Sequence, residues 1–66
     1  MTVWFRRSKV RSDDYAVYDG NDLIGYTWKV DDSGWATCDV GGEIVVTVKA
    51  PTRDLAGQWL KAGKPV

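Results

Sequence analysis

The residue types that most often carry out catalysis are scarce in this chain of 66 residues. It has no histidine and one cysteine, Cys38, so a serine or cysteine nucleophile would lack its usual base, and no disulfide can form within the chain. The thiol of Cys38 is predicted to fill the core as a small apolar group. We therefore expect a protein that is not an enzyme, with no catalytic residues and no cofactor.

Acidic residues occur as neighbours in sequence rather than as spaced pairs. The adjacent residues Asp13 and Asp14 should direct their carboxylates apart, so they are not expected to hold a substrate between them. The run that starts at Asp19 resembles the beginning of a calcium loop, but Ile24 and Val30 stand where that loop requires Gly and Glu. No metal site is predicted.

Nine basic and nine acidic residues give zero net charge, but the charges are unevenly distributed along the chain. Residues 1–11 are basic, residues 12–43 hold eight acids against Lys29, and residues 44–66 hold four bases against Asp54. Either the basic ends lie near the acidic middle, or the basic arm contacts nucleic acid, or the acidic segment forms a face for a basic partner. The candidates for nucleic-acid contact are Arg6, Arg7, Lys9, Arg11, Lys29 and Lys49.

Alternating apolar and polar residues predict a small antiparallel sheet within residues 15–50. The pattern is clearest over residues 24–30, and turn-forming residues separate it from its neighbours. Residues 1–12 are predicted to be a basic N-terminal arm or an edge strand. The expected meander has three to five strands, at residues 15–18, 24–30, 35–39 and 44–49, with 3–5 as a further strand or part of the arm.

The turns decide which side chains share a face of this sheet. Three-residue turns at 32–34 and 40–42 would place Val30 opposite Ala36 and Trp28 opposite Cys38, whereas other lengths bury the carboxylate of Asp39. One face is then predicted to be apolar, with Ile24, Tyr26, Trp28, Val30, Ala36, Cys38, Ile44, Val46 and Val48. The other face would carry Thr27, Lys29, Trp35, Thr37, Asp39, Val45, Thr47 and Lys49.

The period changes after Pro51, where residues 52–62 are predicted to form a helix. Thr52 suits the N-cap and Gly63 the end of the helix, and a single apolar stripe contains Leu55, Ala56, Trp59 and Leu60. Because so short a helix is not stable alone, we expect its stripe to cover the apolar face of the sheet. The predicted fold is one α+β domain, residues 1–66, with a small antiparallel sheet packed on one face by a C-terminal helix.

Aromatic residues are the richest sign of a binding surface. Most suit the core, but Trp35 is predicted to lie on the face that the helix leaves open, where an apolar patch requires a cover or a partner. The N-terminal segment 3–5, a second subunit and hence a homo-oligomer, or another ligand would satisfy this patch. The predicted protein interface contains Trp35, Val45, Thr47, Trp4 and Phe5.

The segment 23–60 resembles AP2-like and integrase arm-type DNA-binding domains. The resemblance lies in the strand start at Gly34 and Trp35, the turn at Gly41 and Gly42, and the helix opening at residues 52–56. It implies a three-stranded sheet with one helix, whose outer face enters the DNA major groove. In this chain Lys29 and Lys49 would be the basic residues on that face.

Two functions follow from these observations. The first is a non-catalytic protein that binds another protein or itself, similar in size and style to the small phage- or bacterium-encoded modulators of host proteins. The alternative is a nucleic-acid-binding protein that uses the outer face and the basic arm. No targeting segment or membrane span is recognisable, and a soluble cytoplasmic protein is expected.

Overall fold

A computed structural model describes residues 3–7, 14–32 and 34–65. It contains one antiparallel sheet, in which the strands follow one another in sequence order, and one C-terminal helix packed against it. The predicted α+β fold is confirmed. The elements are β1 Val3–Arg7, β2 Asp14–Asp19, β3 Asp22–Asp31, β4 Gly34–Cys38 and α1 Arg53–Ala62.

Two β-bulges interrupt β3, the longest strand. Val17 pairs with Gly25 but Tyr18 pairs with Leu23, so one residue is left over between the two pairs. Near the other end Lys29 pairs with Trp35 and Asp31 with Gly34, which again leaves one residue over. The extra residues are Ile24 and Val30.

The second bulge changes the predicted pairing of β3 with β4. Trp28 lies opposite Ala36 instead of Cys38, and the connection after Asp31 has two residues rather than three. The predicted register is therefore wrong by two residues. Because the bulge absorbs one residue, a two-residue connection still leaves Trp28 and Ala36 on one face, an arrangement that a regular ladder does not allow.

The predicted strand at 44–49 is absent from the structure. The Asp39 carboxylate accepts hydrogen bonds from the backbone N–H groups of Gly41 and Glu43, both at 2.9 Å, and Ala50 exchanges two backbone hydrogen bonds with Trp35. A regular ladder from the Asp39–Glu43 contact would bring Thr47 opposite Trp35, three residues before Ala50. The segment between the Asp39–Glu43 contact and the Trp35–Ala50 contact is therefore three residues longer than a regular ladder needs. These extra residues do not pair with β4, so residues 44–49 form no strand.

Helix α1 packs on the face of the sheet that was predicted to be open. A Cβ atom added at Gly57 would lie 2.6 Å from Cζ of Phe5, and one added at Gly25 would meet the Leu60 side chain at 2.8 Å. On the same face Thr27 and Thr37 are buried. The prediction that α1 covers the face of Tyr26, Trp28, Ala36 and Cys38 is wrong, because the helix needs small residues to approach the sheet closely.

Both predicted ends of the helix are confirmed. The Thr52 hydroxyl accepts a hydrogen bond from the Leu55 N–H at 3.2 Å. Gly63 adopts a left-handed conformation with φ of 76° and donates its N–H to the Trp59 carbonyl at 2.8 Å. In the last turn, Lys61 Nζ lies 3.2 Å from a carboxylate oxygen of Asp19 and ties the helix to the end of β2.

The core is small and centres on Val17, which has no exposed surface. Cys38 is buried, as predicted, and its burial raises the pKa of the thiol. None of the helical segments in the described part of the chain is long and apolar enough to cross a membrane. The other buried apolar side chains are those of Val46, Ala50, Ala56 and Leu60.

Candidate functional site

Three strands and the first turn of α1 bring two arginines and three aromatic rings together beside the helix. Antiparallel pairing sets Arg7 of β1 directly opposite Tyr15 of β2, on the face that carries α1. Because Arg53 is the first residue of the helix, its side chain reaches the same place. We call this group the arginine–aromatic cluster; it consists of Phe5, Arg7, Tyr15, Trp35 and Arg53.

Cation–π contacts hold the cluster together. The guanidinium carbon of Arg53 lies 4.7 Å from the ring centre of Phe5 and 4.9 Å from that of Tyr15. That of Arg7 lies 5.8 Å from the Tyr15 ring centre. The rings of Tyr15 and Trp35 are 5.9 Å apart and tilted by 52°. This geometry holds Arg53 against two rings and reduces the entropy that it would lose on binding a ligand.

The phenol of Tyr15 is the polar centre of the cluster. Arg7 Nη2 donates a hydrogen bond to the Tyr15 hydroxyl at 3.3 Å. This hydrogen bond is the main reason that the pKa of Tyr15 falls below its usual value, and the charge of Arg53 acts in the same direction. A carboxylate oxygen of Asp54 lies 4.0 Å from Arg53 Nη2, so the site also contains one negative group.

Two shallow cavities flank the start of α1. One of about 270 Å³ is lined by Tyr15, Trp35, Thr52, Arg53 and Asp54. The other, of about 250 Å³, lies between β1 and the helix and is lined by Val3, Phe5, Asp54 and Gln58. An aromatic wall beside a guanidinium suits a ligand that presents a carboxylate or another anion next to an apolar group.

The residues predicted as a protein interface are distributed over three places. Phe5 and Trp35 belong to the cluster. Trp4 lies on the opposite face, where it stacks on Tyr18 with ring centres 4.4 Å apart and donates from Nε1 to the Gly20 carbonyl at 2.6 Å. The remaining two, Val45 and Thr47, are exposed in the irregular segment before Ala50.

The residues predicted to contact nucleic acid do not share one surface either. Arg7 is in the cluster, whereas Arg6 points to the opposite face because side chains alternate along β1. Lys29 pairs with Trp35 on the helix side of the sheet, and Lys49 is exposed next to Ala50. The last two candidates, Lys9 and Arg11, lie outside the described residues.

This placement bears on the resemblance to DNA-binding domains. In those domains the sheet face opposite the helix enters the major groove, and Lys29 was expected on that face. Here Lys29 lies on the helix-bearing face with Trp35. The face opposite α1 carries aromatic residues instead, namely Trp4, Tyr18, Tyr26 and Trp28.

Two members of the cluster, Tyr15 and Arg53, were not predicted as site residues. A signal for Arg53 was present, because an N-cap at Thr52 makes it the first helical residue. Tyr15 could be recognised only once the pairing of β1 with β2 was known.

No family model, curated protein or solved structure matches this chain. Within residues 3–7, 14–32 and 34–65, no three His, Cys, Asp or Glu side chains are grouped so that they could hold a metal ion.

Proposed function

We propose that the chain is a non-catalytic protein-binding module and that the arginine–aromatic cluster is its recognition surface. The observation that carries this proposal is the composition of the cluster, since Trp, Tyr and Arg are the residues that contribute most to binding energy at protein interfaces. Tyr15, Trp35 and Arg53 are each only half-buried. They therefore offer a partner apolar area together with hydrogen-bond donors.

The charge of the cluster indicates what the partner should present. Arg53 is held over two rings, and its ion-pair contact with Asp54 is long, at 4.0 Å. A carboxylate from the partner can form shorter, bidentate hydrogen bonds with such a guanidinium. We infer that the partner inserts an acidic side chain with a neighbouring apolar or aromatic side chain, the latter packing on Trp35.

A protein partner agrees better with the site than a nucleic acid does. Asp54 lines both cavities and lies next to Arg53, so a phosphate backbone that followed the site would pass a carboxylate. A protein can meet this mixed charge with residues of both signs. Nucleic-acid binding is therefore an outcome that the experiment must be able to detect.

The test compares three immobilised forms of the protein in extracts of the native cell, with and without nuclease. Arg53→Gln removes the charge at the cluster, and Lys64→Gln removes the same charge from an exposed site beyond the helix. We expect proteins that are retained after nuclease treatment by the wild type and Lys64→Gln but lost with Arg53→Gln. Circular dichroism verifies that each variant is folded.

The retained protein is then purified and its affinity measured directly. We expect Arg53→Gln to raise the Kd about tenfold or more, which corresponds to about 1.4 kcal/mol, and Lys64→Gln to leave it within about twofold. Capture that disappears with nuclease would instead support nucleic-acid binding. Equal capture by all three forms would show that the cluster is not the recognition surface.

A further inference from the structure

The two edges of the sheet differ in whether their backbone groups are paired. At the β4 edge, Trp35 exchanges two hydrogen bonds with Ala50, and the Asp39 N–H donates to the Glu43 carbonyl. At the other edge, β1 pairs with β2 on its inner side, and none of the described residues pairs with its outer side. An unpaired strand edge is a template for another strand.

Strand β1 has neither a bulge nor a proline to protect its open edge. All five residues pair with β2 without a bulge, the strand contains no proline, and Trp4 is 42% exposed. Charge is confined to the end of the strand, at Arg6 and Arg7. A second strand can therefore approach β1 along its whole length if it places a favourable side chain beside Arg6.

We propose that a second copy of this chain binds along β1, antiparallel and centred on Phe5. In this register Phe5 lies opposite Phe5 of the second copy, Trp4 opposite the second copy's Arg6, and Val3 opposite the second copy's Arg7. The arrangement has two-fold symmetry. Because paired residues share a face, both helices lie on the same side of a continuous eight-stranded sheet.

Complementarity selects this register over its neighbours. A pairing centred on Trp4 would join only Val3, Trp4 and Phe5 of each copy, and one centred on Arg6 would oppose like charges. The Phe5-centred pairing joins all five residues and sets an arginine beside each exposed indole, which allows two cation–π contacts.

Light scattering combined with size exclusion tests the proposal on the full chain. We expect a species of twice the 7.4 kDa monomer mass at high micromolar concentration. Arg6→Glu should weaken dimerisation about tenfold, because two cation–π contacts are lost per dimer. Lys64→Glu makes the same charge change away from β1 and should leave dimerisation unaltered.

Hydrogen exchange of the wild type gives a readout that does not depend on any variant. The amides of Val3–Arg7 that point away from β2 should become protected as the protein concentration rises through the dimer range. A strict monomer at about 1 mM would overturn the proposal, as would a dimer whose β1 amides gain no protection. Neither result decides the Arg53→Gln test, because that test removes a side chain of α1 whereas the dimer is held by the backbone of β1.

Discussion

One face of the sheet is covered by α1 and the other is not, and the covered face has small residues in β3 and β4 where the helix approaches, with its three aromatic residues, Phe5, Tyr15 and Trp35, in the neighbouring cluster. Beneath the helix lie the small residues Gly25, Thr27 and Thr37, which we call the floor of the helix contact. On the helix side of the same contact, Gly57 is also small and lies against the Phe5 ring. The opposite face carries the large rings of Trp4, Tyr18, Tyr26 and Trp28.

This difference teaches that the more apolar face of a small sheet is not necessarily the face that a helix covers. A helix gains most where its backbone can approach the strands closely, because dispersion contacts fall off steeply with distance. Aromatic rings can bury much of their own area against one another, as Trp4 and Tyr18 do by stacking. In this sheet the helix docks where Gly25 in β3 leaves room for Leu60.

The largest expected effect comes from truncating the apolar side chain that joins the helix to its floor. Leu60 is only 7% exposed, so Leu60→Ala should lower the free energy of unfolding by about 3 to 4 kcal/mol through loss of burial and the cavity left behind. Urea denaturation followed by circular dichroism measures this. The control is Val30→Ala at 43% exposure, for which less than about 1 kcal/mol is expected. Equal losses would contradict the assignment of the core to the helix side.

The next effect concerns the close approach at the floor. A Cβ at Gly25 would run into the Cys38 carbonyl and lie 3.2 Å from Cα of Asp39, so the backbone itself would have to move. We expect Gly25→Ala to cost about 2 to 3 kcal/mol in the same denaturation experiment.

The control for Gly25 is Gly41, where an added Cβ would meet only an Asp39 carboxylate oxygen at 3.5 Å. Gly41→Ala should change the stability by less than about 0.5 kcal/mol. If Gly25→Ala were as mild, the floor would tolerate larger residues, and its small side chains would not explain why the helix lies there.

Two buried threonines on the covered face should respond in opposite directions. The Thr27 hydroxyl donates to the Ala36 carbonyl at 2.7 Å, whereas the Thr37 hydroxyl oxygen is buried without a hydrogen-bond partner among the described residues. Thr27→Val should cost about 1 kcal/mol, and Thr37→Val should be neutral or add up to about 1 kcal/mol. The same unfolding measurement distinguishes them, and a clear loss with Thr37→Val would show that its hydroxyl has a role.

The smallest effect is electrostatic and lies at the margin of the covered face. Because the Arg7 hydrogen bond and charge lower the pKa of Tyr15, Arg7→Gln should raise that pKa toward its usual value, and NMR titration of the tyrosine rings measures the change. Arg6→Gln, on the opposite face, is the control and should leave the pKa of Tyr15 unchanged.

The lowered pKa of Tyr15 also affects how stability depends on pH. Because the folded-state pKa lies below the unfolded one, the free energy of unfolding rises with pH between these two values, and this rise should be smaller in Arg7→Gln. An unchanged Tyr15 pKa in Arg7→Gln would contradict the role given to the hydrogen bond.

The sequence predicted the fold class because local patterns report local structure. Alternation predicted strands in the segments of β3 and β4, and Thr52 and Gly63 predicted the ends of the helix. Residues 3–5 were expected to be either a strand or part of an arm, and they lie in β1. Alternation also predicted a strand at 44–49, which is absent because contacts at Asp39 and Ala50, outside the pattern, leave too many residues between them.

The placement of the helix and the site could not be predicted, because both depend on contacts between distant segments. Alternation shows that Thr27 and Tyr26 lie on opposite faces but does not tell which face has room for a helix. Likewise, Arg7 meets Tyr15 through strand pairing, and Arg53 joins them only because α1 crosses that face. Trp35 was predicted as an interface residue from its place on the outer face and Phe5 from its aromatic type, but their neighbours could be named only from the fold.

Because of its two bulges, β3 can lose one residue at either of two positions without any change in strand pairing. Every pair of the two hairpins is formed without Ile24 or Val30. Loss of either residue would remove a bulge and leave a regular ladder with the same two-residue turn. Loss of any residue from 25 to 29 would instead shift the pairing by one residue, so that side chains in part of β3 would move to the opposite face of the sheet. Related chains that differ by one residue in this strand should therefore gain or lose it at positions 24 and 30.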